Sequence, residues 1–341
     1  MKQKLLRTFY YFISCIGLFY LFYWINRNKK IILTYHHIIP DALFDNSVHL
    51  GVSHCESVFE NHIQLINRRF SKNKILITFD DGYKNQFEIA AKILENHGLR
   101  GIFFITFQLI VNKSTLIIDK IMQWVSYVPV GHYQLANMQF SVTAENRHQI
   151  ASMFYETLLS NYLLWDTIED QLNSNFSFDD LKMNLELKRL RFEPISESHL
   201  SILINNGHTV AAHSWDHRPL STLPIKIQKQ DFDLCKNYAE KYCNSDLYSY
   251  PYGGIQEVSP AAICLCKEYG FAGAYTNNAS LIWPEEDANF QMPRISLPNH
   301  SNRYVLDAKL SGFEFFCKMI IKKLLVFTRV FQWKEKIILN G

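Results

Sequence analysis

Across 341 residues the chain has no nucleotide loop of either the G-x-G-x-x-G or the Walker type, which removes support for nucleotide chemistry. It has no C-x-x-C pair and no zinc-knuckle spacing among seven scattered cysteines, so the pattern gives no support to a structural zinc site built on thiolates, and the spacing assigns no disulfide. Internal repeats and low-complexity runs are absent, which rules out solenoids and propellers. One-sided charge is lacking too. Lys+Arg 35 against Asp+Glu 32 leaves +3, too little to mark a nucleic-acid binder. What is present is a core-forming composition, 48% hydrophobic and 20% charged, in a length that suits one large catalytic domain or two modest ones. Aromatic residues reach 14%, compatible with strands, a sugar-stacking cleft or membrane contact.

From Thr8 to Ile25 no charge occurs, and Lys2, Lys4 and Arg7 precede this run while Arg27, Lys29 and Lys30 follow it. As one helix its 18 residues just span a hydrocarbon core of about 30 Å. No small-x-small cleavage site follows, and Trp24 to Arg27 has the composition of an interfacial anchor. Residues 1–30 therefore read as a single-pass transmembrane anchor or uncleaved signal, with the domain that follows on the periplasmic or extracellular side. Residues 313–341 alternate apolar side chains with Lys318, Lys322, Lys323, Arg329, Lys334 and Lys336, the pattern of a basic amphipathic helix on a membrane surface or packed on the domain.

Between the ends, strand-like and helix-like runs alternate as in an α/β domain with a largely parallel sheet or barrel. Strands are expected at Ile31–Ile38, Lys74–Gly82, Ile102–Thr106, His208–Ala212, Leu247–Tyr250, Phe271–Thr276 and Pro293–Leu297. The apolar spacing of Phe59, Ile63, Ile66 and Phe70 marks a helix, and another stops at Gly207. The stretch from about 109 to 191 is mostly helical in pattern and reads as an insertion.

Three constellations carry chemistry. Thr78-Phe79-Asp80-Asp81-Gly82-Tyr83 places two carboxylates where a strand ends, the edge at which α/β folds build sites. One can hold a metal while its neighbour accepts a proton from water, although an Asp there also caps helices. His213-Ser214-Trp215-Asp216-His217 sets two imidazoles four apart, within reach of one cation, and Asp81 completes a His-His-carboxylate set with open positions. Tyr248-Ser249-Tyr250-Pro251-Tyr252-Gly253-Gly254 runs into a turn able to aim an N–H at an oxyanion and an aromatic ring at a sugar.

In this order the TFDDGY, H-S-x-x-H and YPYG runs resemble those of the polysaccharide deacetylases of NodB type, over about residues 31–312. The resemblance implies an α/β fold, a distorted (β/α) barrel, with metal-dependent removal of N-acetyl groups from amino sugars of a cell-surface polysaccharide or glycolipid. By motif, Asp80 is the base, Asp81, His213 and His217 hold a divalent metal, most naturally Zn2+, and Tyr252, flanked by Pro251 and Gly253, borders the substrate. Two positions depart from the family pattern. Ser249 stands where many members carry the arginine that orients the base, and Arg294 is the candidate to replace it. The family's late Leu-x-His element is not clear, His300 being the nearest candidate for the general acid. His36 and His37 resemble an early Tyr-His element. The competing readings are a deformylase or amidase on a lipid-linked amino sugar and an inactive carbohydrate-binding module. The expected partners are an N-acetylated glycan or lipid-linked sugar and the membrane, with no nucleic acid.

Overall fold

Short apolar segments, buried along almost their whole length, form a single parallel sheet in the computed structural model, which describes residues 2–44, 52–178, 181–280 and 290–321. The strands are β1 (Ile31–Tyr35), β2 (Ile75–Phe79), β3 (Gly101–Ile105), β4 (Thr209–Ala212), β5 (Leu247–Ser249), β6 (Gly273–Thr276), β7 (Met292–Pro293) and β8 (Ile295–Ser296). They lie side by side in the order β7-β6-β5-β4-β3-β2-β1-β8. All neighbours are parallel, which requires crossover connections and leaves both sheet faces covered. Only Arg294 separates β7 from β8. One run of chain therefore pairs with β6 at its start and with β1 at its end, bringing the sheet round into a nearly closed barrel.

The helices follow their apolar faces. Phe59, Ile63 and Ile66 of helix Glu56–Arg69 are buried with Phe79 and Phe103 of the barrel. Helix Glu197–Asn205 begins with a Ser196 capping box and ends before Gly207 at φ 83. The expected strand over residues 31–38 divides: β1 stops at Tyr35, and His37–Ile39 pairs instead with Ser53–Cys55 in a separate two-stranded sheet. His36 sits at the division.

The insertion has its own core, which includes Ile121, Trp124, Phe154, Trp165 and Leu172. It is not all helical. Gly131–Leu135 and Met138–Val142 form an antiparallel hairpin across Ala136 and Asn137, both at positive φ. Two successive left-handed residues make the tight turn that matches strand twist, and period-2 burial along both strands completes the pattern.

The single helix expected to span a membrane at the N-terminus is broken in two. Lys2–Cys15 and Leu18–Ile25 are separate helices, and their axes bend by 75° at a break where Gly17 adopts φ 73. No single helix among the described residues is long and apolar enough to cross a membrane. Tyr10 and Phe19 are buried against Val305, Ala308 and Phe313, so the pair is seated on helix Arg303–Leu310. Of the expected C-terminal helix over 313–341, residues 313–321 are helical and 322–341 lie outside the described residues.

Candidate active site

At the carboxyl end of β2 the ladder runs one residue further, the Asp80 N–H donating to Tyr35 O at 3.1 Å, and the chain then turns through Asp81 (φ 84) and Gly82 (φ 92). Asp81, Ser214, His217 and Tyr252 account for four of the seven non-glycine residues at positive φ among the described residues. Left-handed backbone costs L-residues roughly 1–2 kcal/mol each. Its concentration in the three motifs marks loops held by their surroundings for a purpose other than stability.

Asp80 is fully buried and faces an equally buried guanidinium. Arg294 Nη1 and Nη2 donate to its two carboxylate oxygens at 2.6 Å each. The same guanidinium donates to Thr78 Oγ1, Ser249 Oγ and Thr276 O, so β2, β5 and β6 all fix its position. Burial opposes ionisation of Asp80, but Arg294, then His213, outweigh it and hold the carboxyl below the ordinary Asp range. Ser249 thus stands as a hydrogen-bonding partner where an arginine was absent from the motif, and the charge arrives from the seam between β7 and β8.

Next to this pair lie Asp81, His213 and His217, whose ligand atoms fall within 4.8 Å of one another. His213 follows β4, and its Nδ1 lies 2.7 Å from Ser249 O. A carbonyl only accepts, so the proton is on Nδ1, and Nε2 offers a lone pair 3.6 Å from Asp81 Oδ1. His217 Nε2 lies 3.3 Å from the same oxygen, and the His217 backbone N–H donates to Ser214 Oγ, tightening the loop. Burial brings the His213 pKa down to about 4, keeping the imidazole neutral and able to ligate. For Asp81 burial works against the charge, and the adjoining His217, His36 and His213 overcome it. Asp81 Oδ1 is buried yet receives no hydrogen bond. An orphaned carboxylate oxygen facing two imidazoles is the donor set of a divalent cation, and these residues fit one.

Tyr252 projects from the turn after β5. Its ring packs 4.8 Å from that of His217 and 5.8 Å from that of Tyr155, and Asn277 holds the turn by donating from Nδ2 to Tyr252 O and from its backbone to Gly253 O, both at 2.7 Å. Pro251 and Gly253 are buried in that turn.

A cleft of about 460 Å³ opens over Asp81, His217 and Tyr252. Its far wall belongs to the insertion: Leu116, Met122, His148, Ser152 and Tyr155 among others. The insertion is also tied to the catalytic loop. Tyr83 donates to Asp119, which accepts from Arg191, while the Ile195 N–H donates to Gly82 O and the Lys84 N–H to Glu193 O.

His300 is not part of this assembly. It does not line the cleft, and its Nδ1 accepts from the Asn302 N–H at the start of helix Arg303–Leu310, so the structure does not bring this general-acid candidate to the site. The structure brings His36 instead, its Nε2 4.0 Å from Asp80 Oδ2, in the cleft wall. Sequence reasoning assigned no role to the cleft-lining side chains of the insertion; the one available signal was the polar face of His148, Ser152 and Tyr155 at helical spacing.

Residues 67–156 and 186–272, just over half of the chain, match the model of the polysaccharide deacetylase family. The Streptococcus pyogenes deacetylase PplD, solved in complex with acetate, is 12% identical and superposes with a TM-score of 0.51, covering 82% of this chain and 98% of that one. IcaB from Ammonifex degensii is 13% identical with a TM-score of 0.49, covering 82% and 97%. No curated protein sequence matches the chain. The parallel barrel carries its carboxylate–arginine pair and two imidazoles at the carboxyl edge of the strands, where α/β folds build their sites. The chain belongs to the polysaccharide deacetylase family, whose hydrolases cleave N-acetyl amide bonds.

Proposed function

We propose that this protein removes the N-acetyl group from an amino sugar of a cell-surface glycan, with a divalent cation, zinc by the preference of a two-imidazole, one-carboxylate set, held by Asp81, His213 and His217. The observation that carries the reading is the buried Asp80–Arg294 pair set directly against that cluster. A carbohydrate-binding module has no use for a buried carboxylate held by two guanidinium hydrogen bonds beside such a cluster.

When bound, the ion would polarise the acyl carbonyl and acidify a water molecule beside it. Asp80, kept ionised and oriented by Arg294, takes the proton of the attacking water. The backbone N–H of Tyr252 supports the oxyanion of the tetrahedral intermediate. His36, beside Asp80 and in the cleft wall, donates a proton to the amine as the C–N bond breaks and is replenished with the one Asp80 took from water. Acetate and a free amino sugar leave. The rings of Tyr252 and Tyr155 supply a wall against which a pyranose can stack.

The test is metal content together with acetate release from N-acetylglucosamine oligomers. The intact protein should bind about one equivalent of metal per chain and release acetate only when loaded. Asp80→Asn should keep the metal and lose turnover by at least roughly 10²-fold, as should His36→Gln for amine release, while His213→Ala should lose both metal and turnover. Turnover in Asp80→Asn would refute the base assignment. Metal without acetate release, but with formate from N-formyl sugars, would replace the acetyl group by formyl.

A further inference from the structure

The N-terminal helix pair has two unlike faces. One, carrying Tyr10 (5% exposed) and Phe19 (2%), is seated on Val305, Ala308 and Phe313. The other is bare. Of the 21 exposed large apolar side chains among the described residues, 13 lie within residues 5–25 and 316–321, while the other eight are scattered over the rest of the chain. They are ordered. Leu5, Phe9, Phe12 and Ile16 recur at helical spacing along one stripe, Tyr20 and Trp24 stand four apart on the second helix, and the Phe316 ring meets Phe22 at 5.1 Å to continue the surface. An apolar surface of this extent marks an interaction site.

Charge identifies the partner. Residues 1–40 hold six Lys or Arg and no Asp or Glu, and the basic residues bracket the apolar stretch on both sides. The Arg27 guanidinium stacks 4.7 Å over the Trp24 ring at one margin, and at the other Lys318 stands exposed beside the Glu314 it pairs with. Exposed aromatic side chains within a basic border complement an anionic lipid headgroup layer above hydrocarbon. The seating decides the mode of contact. The Tyr23 hydroxyl donates to Asp307 at 3.0 Å, Asn26 Nδ2 donates to Ser311 O at 2.8 Å, and the axes bend by 75° at Gly17. Crossing a bilayer would require straightening the bend and extracting Tyr10, Phe19 and Tyr23 from the catalytic domain.

We infer that the bent pair and the start of the C-terminal helix form one docking surface that lies in the plane of an anionic bilayer, holding the barrel at the membrane without spanning it. The surface is independent of the cleft chemistry, so its test does not use activity.

The full chain is floated with vesicles of phosphatidylcholine alone and with phosphatidylglycerol added at one part in four. Binding to the anionic vesicles should exceed binding to the neutral ones by at least roughly tenfold, and alkaline carbonate should release the protein. The double variant Phe12→Ser/Trp24→Ser, both at exposed positions (62% and 61%), should bind at least roughly tenfold more weakly with an unchanged urea midpoint. No binding by the intact chain, or equal binding by the variant, overturns the inference. Resistance to carbonate overturns it in favour of a span. Self-association without vesicles that the variant abolishes overturns it in favour of a second copy as the occupant.

Discussion

Replacing Arg294 with methionine keeps an unbranched side chain of similar length in the barrel seam and removes the charge. In the native structure the guanidinium makes five hydrogen bonds, two of them to Asp80, and both partners are shielded from water, at 0% and 1% side-chain exposure. The substitution leaves Asp80 with only the imidazoles of His213 and His36, whose Nε2 atoms lie 3.9 and 4.0 Å from Oδ2. Removing one partner of a buried pair costs about 3–5 kcal/mol, because the remaining charge is uncompensated. The pH dependence follows from the depressed Asp80 pKa. The unfolded carboxyl titrates near 3.9, so the contribution of the pair is complete above about pH 4 and disappears as the pH falls through the lower folded value. Urea unfolding of the metal-free intact and Arg294→Met proteins at pH 7 and at the lowest pH where both fold should show the difference shrinking with acid. Without Arg294 the Asp80 pKa rises, so the acid limb of the pH–rate profile should move to higher pH. Arg294→Lys, which keeps a charge but not the two-pronged donor, should fall between the two. A loss below about 1 kcal/mol, the value of an exposed pair, or a difference that stays constant with pH, would refute the reasoning.

Burial brings His54, His62 and His213 each down to about 4. Their unfolded values lie near 6.5, so between about pH 6.5 and 4 the unfolded chain binds more protons and stability falls as the pH falls, at a slope of up to three protons. Urea midpoints of the metal-free protein at pH 7.5, 6 and 5 measure this, and a flat line would contradict the burial of these rings. At Gly82 (φ 92) an added Cβ would lie 3.1 Å from Ile105 Cδ1, whereas at Gly270 (φ 75) it would meet nothing within 4 Å. Gly82→Ala should therefore cost more than the roughly 1–2 kcal/mol of left-handed strain and weaken metal binding by displacing Asp81, while Gly270→Ala should cost the strain alone and leave metal affinity unchanged. Titration calorimetry with Zn2+ beside thermal melts separates the two, and equal metal affinities would sever Gly82 from the site.

Much of the barrel could be read in advance because its strands are buried on both faces and appear as short apolar runs between turn signals, as in Ile75–Phe79 and Gly101–Ile105. The hairpin at 131–142 was legible in principle, since Tyr133 and Leu135 on one strand and Met138, Phe140 and Val142 on the other keep a period of two, but the mostly helical pattern of the insertion around it masked it. The division at His36 was not legible. An unbroken apolar run does not say where a strand leaves one sheet for another, and that step is what brings an imidazole to the cleft.

By itself the sequence determined the residues whose positions depend on local chain geometry. Asp80 and Asp81 at a strand end, His213 and His217 across one loop, and Tyr252 in a Pro-containing turn are set by a few consecutive dihedral angles, so their spacing is visible in one dimension. Tertiary structure alone decided everything that required distant segments to meet. Arg294 faces Asp80 because one chain run closes the sheet between β6 and β1. His300 points to a helix start and His36 to the base. The insertion supplies the far wall of the cleft. An 18-residue apolar run that has the length of a membrane span folds instead as two helices, because Gly17 takes a left-handed conformation and Tyr10, Phe19 and Tyr23 find partners on the catalytic domain. Length and hydropathy measure what a segment could bury; the packing partners decide where it is buried.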